Sequence, residues 1–326
     1  MVQYIFRNHN AGYSIAKVFN TFLPYIGNKN KLELPYAGAD PISVIRNLLF
    51  LIRNKQKDVL YHITGNVEYC ALVLPPNRTI LTIHDLVLIN HNKYGWFKKL
   101  MFYYLWHYLP IKRARLVTCI SLNTKNELLR FFPWSKDKIV VIPNPVDPEI
   151  VSKEKVFNAD CPTILHIGTR ENKNLERVAE ALQGVSCKLR IIGELTDLQK
   201  EFLSNYHISY EAVCNLSDSE IRCEYNQCDI VSFPSTYEGF GMPIIEGYAA
   251  GRIVVTSNLS PMNVLAEDGA ILVNPFDVKS IRQGFLSAID DAQGRNEKVK
   301  RGLEIVKKYS AENIARQYEE AYADIL

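Results

Sequence analysis

Along its length the chain alternates short β-branched and aliphatic runs with longer stretches whose apolar positions recur at helical spacing. This is the pattern of parallel sheets wrapped by helices, and it predicts an α/β fold. In the first half VQYIF (2–6), DVLYHI (58–63), TILTI (79–83), RLVTCI (115–120) and KIVVI (138–142) predict strands. In the second half TILHI (163–167), KLRII (188–192), ISYEAV (208–213), DIVSF (229–233) and RIVVT (252–256) repeat the rhythm, so a second sheet should mirror the first. Between them PNPVDPEIVSKEKVFNADCP carries four prolines and no sustained period, which marks a connection. The expected domains are 1–150 and 151–309. The remaining stretch, 310–326, opens with Ser310 and sets Ile314, Tyr318 and Ala321 on one face; it should form a capped amphipathic helix packing back toward the N-terminal domain.

Composition narrows the class. With 326 residues, 47% hydrophobic and 22% charged, the chain has ordinary globular content and enough apolar material for two cores. A net charge of +3 is too small to argue for nucleic acid as a partner. The start, MVQYIFRNHN, has no apolar stretch behind a basic one, and no run reaches about 18 apolar residues, so neither export nor a membrane span is expected. Seven scattered cysteines without C-x-x-C spacing suit reduced thiols in a cytoplasm.

The stretch DIVSFPSTYEGFGMPIIEGYAAGRIVVTS reads as a strand, a glycine-punctuated loop and a helix with Pro243 in its first turn. Gly239 and Gly241 let the backbone approach a ligand, and the helix start behind them attracts anions. Glu238 and Glu246 flank this loop. A carboxylate accepts through two oxygens, so Glu246 suits the vicinal hydroxyls of a ribose and Glu238 the hydroxyls of a sugar. HIGTRENKNLERVAEAL follows the first strand of the second half and sets Arg170 and Lys173 at a helix lip, where two cations would face a pyrophosphate and stabilise the charge of a departing nucleoside diphosphate. RTILTIHDLVL puts His84 and Asp85 directly after a strand, where α/β sheets present residues to a ligand crevice. His62 and His166 fall inside strand patterns and suit core positions. Gly12, between the first strand and a helix, suits either a ligand loop or a plain turn.

EGFGMPIIEGYAAG resembles the E-x7-E motif of the retaining glycosyltransferases of family four, of the bacterial surface-polysaccharide type. The resemblance covers residues 80–325 well and the first 80 poorly. It implies the GT-B architecture, two Rossmann-like parallel-sheet domains facing a cleft, with the acceptor bound by the first and the nucleotide sugar by the second. It implies retaining transfer of a hexose-type sugar to a hydroxyl of a glycan or lipid-linked glycan in polysaccharide or lipopolysaccharide biosynthesis. Carried over residue by residue, it makes His84 and Glu238 catalytic, and Gly12, Arg170, Lys173, Gly239, Phe240, Gly241, Met242, Pro243 and Glu246 donor-binding. The basic pair is spaced differently from the family's. Ala11 and Gly12 stand where a glycine pair is common, and Asn263 stands where an acidic residue is usual, so that position receives no role.

No D-x-D pair appears that would hold a divalent ion between phosphates, so no cofactor is expected and transfer should be metal-independent. The segment KYGWFKKLMFYYLWHYLPIKRAR, 93–115, interleaves Lys93, Lys98, Lys99, Lys112, Arg113 and Arg115 with aromatics. It suits peripheral contact with an anionic membrane at the inner face of the plasma membrane, or a core helix with charged ends. Two other readings share the architecture: a non-catalytic nucleotide-sugar-binding protein and a nucleotide-sugar epimerase.

Overall fold

A computed structural model of the chain describes residues 1–86, 89 and 95–325; Lys93 lies outside them. Two compact units form, one from Met1–Pro145 with Ala311–Leu326, the other from Val146–Ser310.

The first unit holds β1 (Val2–Phe6), β2 (Lys29–Glu33), β3 (Leu60–Ile63), β4 (Thr79–Ile83), β5 (Leu116–Cys119) and β6 (Ile139–Val141), all parallel, in the order β2-β1-β3-β4-β5-β6. The second holds β7 (Thr163–Ile167), β8 (Lys188–Ile192), β9 (Tyr210–Val213), β10 (Ile230–Phe233), β11 (Ile253–Ser257) and β12 (Ile271–Val273), also parallel, in the order β12-β11-β10-β7-β8-β9. Both sheets carry one more strand than the hydrophobic pattern predicts. The sheets are also not copies of one another: the strand order turns back at β1/β3 in the first and at β7/β10 in the second. In open α/β sheets, ligands bind beyond the carboxyl ends of the strands at such a reversal.

Alternating side chains of the first sheet feed two cores. Ile5, Ile63 and Leu81 point to one, with Trp106 and Phe132, whereas Tyr4, Phe6 and Ile80 point to the other. The second core is completed by the helix Ala311–Ala323, which buries Ile314, Tyr318 and Tyr322. Tyr318 stacks on Phe22 at 4.8 Å between ring centroids, and the Tyr322 hydroxyl meets that of Tyr4 at 2.8 Å. Each such buried side chain contributes about 1.5–3 kcal/mol of transfer free energy.

Much of the basic aromatic segment is core. Phe102, Trp106 and Ile111 are buried, and Arg113 donates from Nε to the Ala71 carbonyl at 3.0 Å. Of its described residues, Trp96, Leu100 and Tyr104 stay exposed as large apolar groups. The core-helix reading therefore holds for residues 102–113, the helical stretches Phe102–Tyr108 and Leu109–Arg113, which pack on Glu68–Leu72.

His62 is a core residue, as its strand position suggests: Nδ1 meets the Tyr322 hydroxyl and Nε2 the Thr82 hydroxyl, each at 2.7 Å. His166 is buried likewise, with Nδ1 3.2 Å from the Ser232 hydroxyl. Burial pushes the pKa of His62 and of His166 down to about 3, and that of His107 to about 4. All three are therefore neutral in the folded chain, while in the unfolded chain they take up protons below about 6.5. Their contribution to stability is complete above that value and is lost as the pH falls, at about 1.4 kcal/mol per pH unit for each histidine until its folded pKa is reached. Thermal melts at about pH 7 and about pH 5 should show a clearly lower midpoint in acid. Equal midpoints would mean that the buried histidines gain protons without unfolding.

Candidate active site

The second unit assembles its site at the β7/β10 reversal. Beyond β7 the chain turns at Gly168, whose φ of +94° suits glycine. A Cβ there would lie 2.9 Å from Cγ of Lys173, so the missing side chain is what lets the lysine stem lie across the turn. One helical turn, Glu171–Lys173, follows, then Asn174 in the left-handed region, then the helix Leu175–Leu182. Beyond β10 the loop 234–240 runs to Gly241 at φ +123° and the helix Met242–Ala249, with Pro243 in the first turn.

Asparagines join the two connections. Asn172 donates to the Tyr237 carbonyl at 3.0 Å, and its own carbonyl accepts from the Thr236 amide at 2.9 Å. Asn174, buried, donates to the carbonyls of Pro234 and Pro275. The loop carrying Glu238 is thereby held against the turn carrying Lys173. The outcome is an ion pair, Lys173 Nζ to Glu238 Oε1 at 2.7 Å, with both side chains mostly buried. Lys173 Nζ also sits 4.8 Å from the centroid of the Phe233 ring, a cation–π contact. Asn172 donates to the same Glu238 oxygen at 3.2 Å.

Glu246 lies one turn into the Met242–Ala249 helix. Its Oε2 accepts from the hydroxyl of Tyr225 at 2.6 Å. Tyr225 is fully buried, and burial, reinforced by the Glu246 charge, raises its pKa well above the ordinary tyrosine value. It stays a phenol and donates a charge-assisted bond that fixes the carboxylate's orientation. Gly247 sets the depth of this helix: a Cβ there would lie 2.8 Å from Cγ2 of Val254 and 3.1 Å from Cγ2 of Val231, so the helix presses directly on β10 and β11.

Other predicted donor contacts have their own settings. Phe240 is buried and meets Tyr309 edge-on at 6.1 Å, while Gly239 and Met242 are partly exposed. Pro243 is buried. Arg170 is not brought to Glu238; it is exposed and lines a hollow of about 750 Å³ with Thr169, Glu176, Thr196 and Gln199. Of the two cations predicted at the lip, Lys173 is the one fixed against the glutamate loop.

In the first unit His84 follows β4, and its Nε2 donates to the Thr64 carbonyl at 2.8 Å, which leaves Nδ1 as the acceptor nitrogen of the neutral ring. Burial lowers its pKa below the ordinary histidine value, against the opposing Thr64 bond and Asp85 charge, so the ring is neutral at neutral pH. Gly65, at φ +125°, makes room for it, since a Cβ would stand 2.5 Å from Cδ2 of His84. Gly12, at φ +126°, serves Arg7: a Cβ would lie 2.7 Å from the guanidinium, which donates from Nε to the Gly12 carbonyl at 3.1 Å. Nearby Glu68 is buried, which pushes its pKa up to about 7, with the Arg7 charge opposing. Sequence reading passed over Gly168, Asn172, Tyr225 and Arg7. The glycine directly after a strand was the one readable signal among them.

Two parallel α/β units, one with an acidic and basic pair at its strand-order reversal, give the GT-B fold. Residues 147–320 match the family described as "Glycosyl transferases group 1", and residues 23–150 match "Glycosyltransferase Family 4". The chain belongs to the group 1 glycosyl transferases. It is 25% identical over 296 residues to the O-antigen chain mannosyltransferase B of Escherichia coli, covering 82% of this chain and 74% of that one. It is 23% identical over 307 residues to the serotype-specific mannosyltransferase WbdA of E. coli, covering 84% of this chain but 38% of that longer protein. The fold matches Anabaena Alr3699/HepE, solved in complex with UDP and glucose, with a TM-score of 0.72 at 14% identity and 99% of each chain covered. Among the described residues no helix is long and apolar enough to cross a membrane.

Proposed function

We propose that the chain is a retaining glycosyltransferase that moves a hexose from a nucleotide sugar to a hydroxyl of a glycan or lipid-linked glycan, in bacterial polysaccharide or lipopolysaccharide assembly. The observation that carries this reading is the Lys173–Glu238 pair at the β7/β10 reversal, with the Tyr225-bound Glu246 on the helix behind. Lys173 suits the charge that develops on a departing diphosphate, Glu238 the hydroxyls of the sugar and Glu246 those of the ribose. The two E. coli relatives carry mannosyltransferase names, which makes mannose the first sugar to test.

Retention needs no protein nucleophile if the acceptor attacks the face the nucleotide leaves and a phosphate oxygen takes the proton. The absence of a nucleophile–base pair in the sequence supports that route. His84, held neutral with Nδ1 as acceptor, suits a hydroxyl of the donor sugar. The chain would act in the cytoplasm at the inner face of the plasma membrane, where lipid-linked acceptors are presented.

The test is a donor screen: UDP-, GDP-, ADP- and dTDP-sugars, followed by thermal shift and nucleoside diphosphate release, with Glu246→Ala alongside. One donor should stabilise the wild type, leave the variant unmoved and be slowly hydrolysed. Binding without turnover, with any acceptor supplied, would favour the nucleotide-sugar-binding reading instead. Transfer is further proposed to need no metal, with Lys173 supplying the charge a divalent ion would provide. Activity should persist in a chelator; loss that magnesium or manganese restores would overturn this.

A further inference from the structure

Tyr225, whose hydroxyl holds Glu246, stands in the last turn of the helix Asp218–Gln227. The last carbonyls of a helix have no partner within it, and the final turn frays unless something outside closes it. Here the Glu224 carbonyl accepts from the Cys228 amide at 3.1 Å, and one side chain closes the next two. Arg252 donates from Nε to the Tyr225 carbonyl at 3.1 Å and from Nη2 to the Asn226 carbonyl at 2.8 Å. Nη2 also donates to the Lys153 carbonyl at 3.1 Å, in the stretch that precedes β7. The Cys228 thiol adds a weaker contact to the Tyr225 carbonyl at 3.4 Å.

Arg252 is tied as closely to the helix that carries Glu246. Gly251, at φ +69°, turns the chain out of Met242–Ala249, and the Arg252 amide bonds back to the Gly247 carbonyl at 2.9 Å. A Cβ at Gly251 would run into the Ser152 hydroxyl, so the bare backbone is what lets this turn lie against 152–153. Arg252 is 6% exposed, and none of the described carboxylates forms an ion pair with it; nearby Asp229 is engaged by Lys155 and by the Asn158 and Thr163 amides. Burying a cation against carbonyls alone is costly, whereas water closes an exposed helix end without that cost. What the planar fork adds is a fixed geometry between two helices.

We infer that Arg252 is a positioning residue for the nucleotide: it locks the end of the Tyr225 helix to the chain leaving the Glu246 helix, and so sets the Tyr225 hydroxyl where it fixes the carboxylate. The inference rests on the reading of Glu246 as the acceptor for ribose hydroxyls. Arg252 acts through Tyr225 and not on the donor itself. Without its three bonds the last turn of Asp218–Gln227 loosens, the phenol is no longer held at one distance from Glu246, and the carboxylate meets the ribose in many orientations instead of one.

The experiment is calorimetric titration of the full chain with UDP, GDP and ADP and with the 2′,3′-dideoxy form of each, the tightest-binding base being carried into the variants. Ribose recognition is read as the ratio of the dideoxy Kd to the ribose Kd. The wild type should give a ratio of about 10² and Glu246→Ala a ratio of about one. Arg252→Met keeps the stem and removes every donor, so it should lower the ratio about tenfold, as Tyr225→Phe does; the two together should lower it no further, since both act through one hydrogen bond. Arg252→Gln, which keeps one donor group, should lower it about threefold and carries the test if the methionine variant does not fold. A residue that only holds the fold together would lower the melting temperature and weaken both nucleotides alike. An unchanged ratio in Arg252→Met or Arg252→Gln, in a wild type that discriminates, would therefore overturn the inference and leave the ribose reading standing. So would strict additivity with Tyr225→Phe. A wild-type ratio of about one, matched by Glu246→Ala, would instead remove the ribose reading and the inference with it.

Discussion

Replacing Lys173 by alanine should lower kcat about 10²- to 10³-fold. The turn at Gly168 gives the lysine stem a fixed path, and the Phe233 ring and Glu238 hold the ammonium at its end. A cation fixed before reaction costs no reorganisation when charge appears on the leaving diphosphate, and there it counts for more than the same charge free in water. Gly168→Ala probes the same geometry from behind. Its Cβ would collide with the stem at 2.9 Å in a conformation that side chains disfavour, so kcat should fall in the same direction by a smaller factor. Steady-state release of nucleoside diphosphate from the selected donor gives both numbers. A Lys173→Ala enzyme within about threefold of wild type would remove the cation from the leaving group.

The hydrophobic pattern shows the interior of both sheets and misses one edge of each. β2 reads KNKLE, and only Lys29 and Leu32 are partly covered, because an edge strand packed on one neighbour does not need an apolar run. β12 is three residues long at the opposite kind of limit, too short to carry any period. The candidate site could be named from the sequence where its residues sit in one contiguous stretch, as with Glu238, Gly241 and Glu246. It was not legible where partners come from distant elements: nothing local to Tyr225 says that its hydroxyl ends on Glu246, 21 positions away. Arg170, whose spacing to Lys173 departs from the family's, stays exposed at a hollow it lines with Thr169 and Gln199, while the single helical turn between the two sets Lys173 against the glutamate loop. Gly12 reads from sequence as either a ligand glycine or a plain turn, and its backbone conformation makes room for Arg7, a pairing visible only once the turn exists.

Glu246→Ala should raise KM for the donor about 10²-fold while kcat falls much less. Two hydrogen bonds from ribose hydroxyls to a carboxylate are together worth about 3 kcal/mol, and they are made equally in the ground and transition states. The carboxylate can offer them because Tyr225 holds Oε2 at 2.6 Å and Gly247 seats the helix against β10 and β11. Tyr225→Phe removes the hydroxyl without changing the ring, so it should raise KM about tenfold by freeing the carboxylate to rotate. If both residues act through that one hydrogen bond, the double variant Glu246→Ala with Tyr225→Phe should be little worse than Glu246→Ala alone, since removing the carboxylate has already removed what the tyrosine orients. Strict additivity would mean that Tyr225 acts on the donor site by some other route. A KM that stays at the wild-type value in Glu246→Ala, with kcat lowered instead, would move the glutamate from ribose binding to the reacting centre.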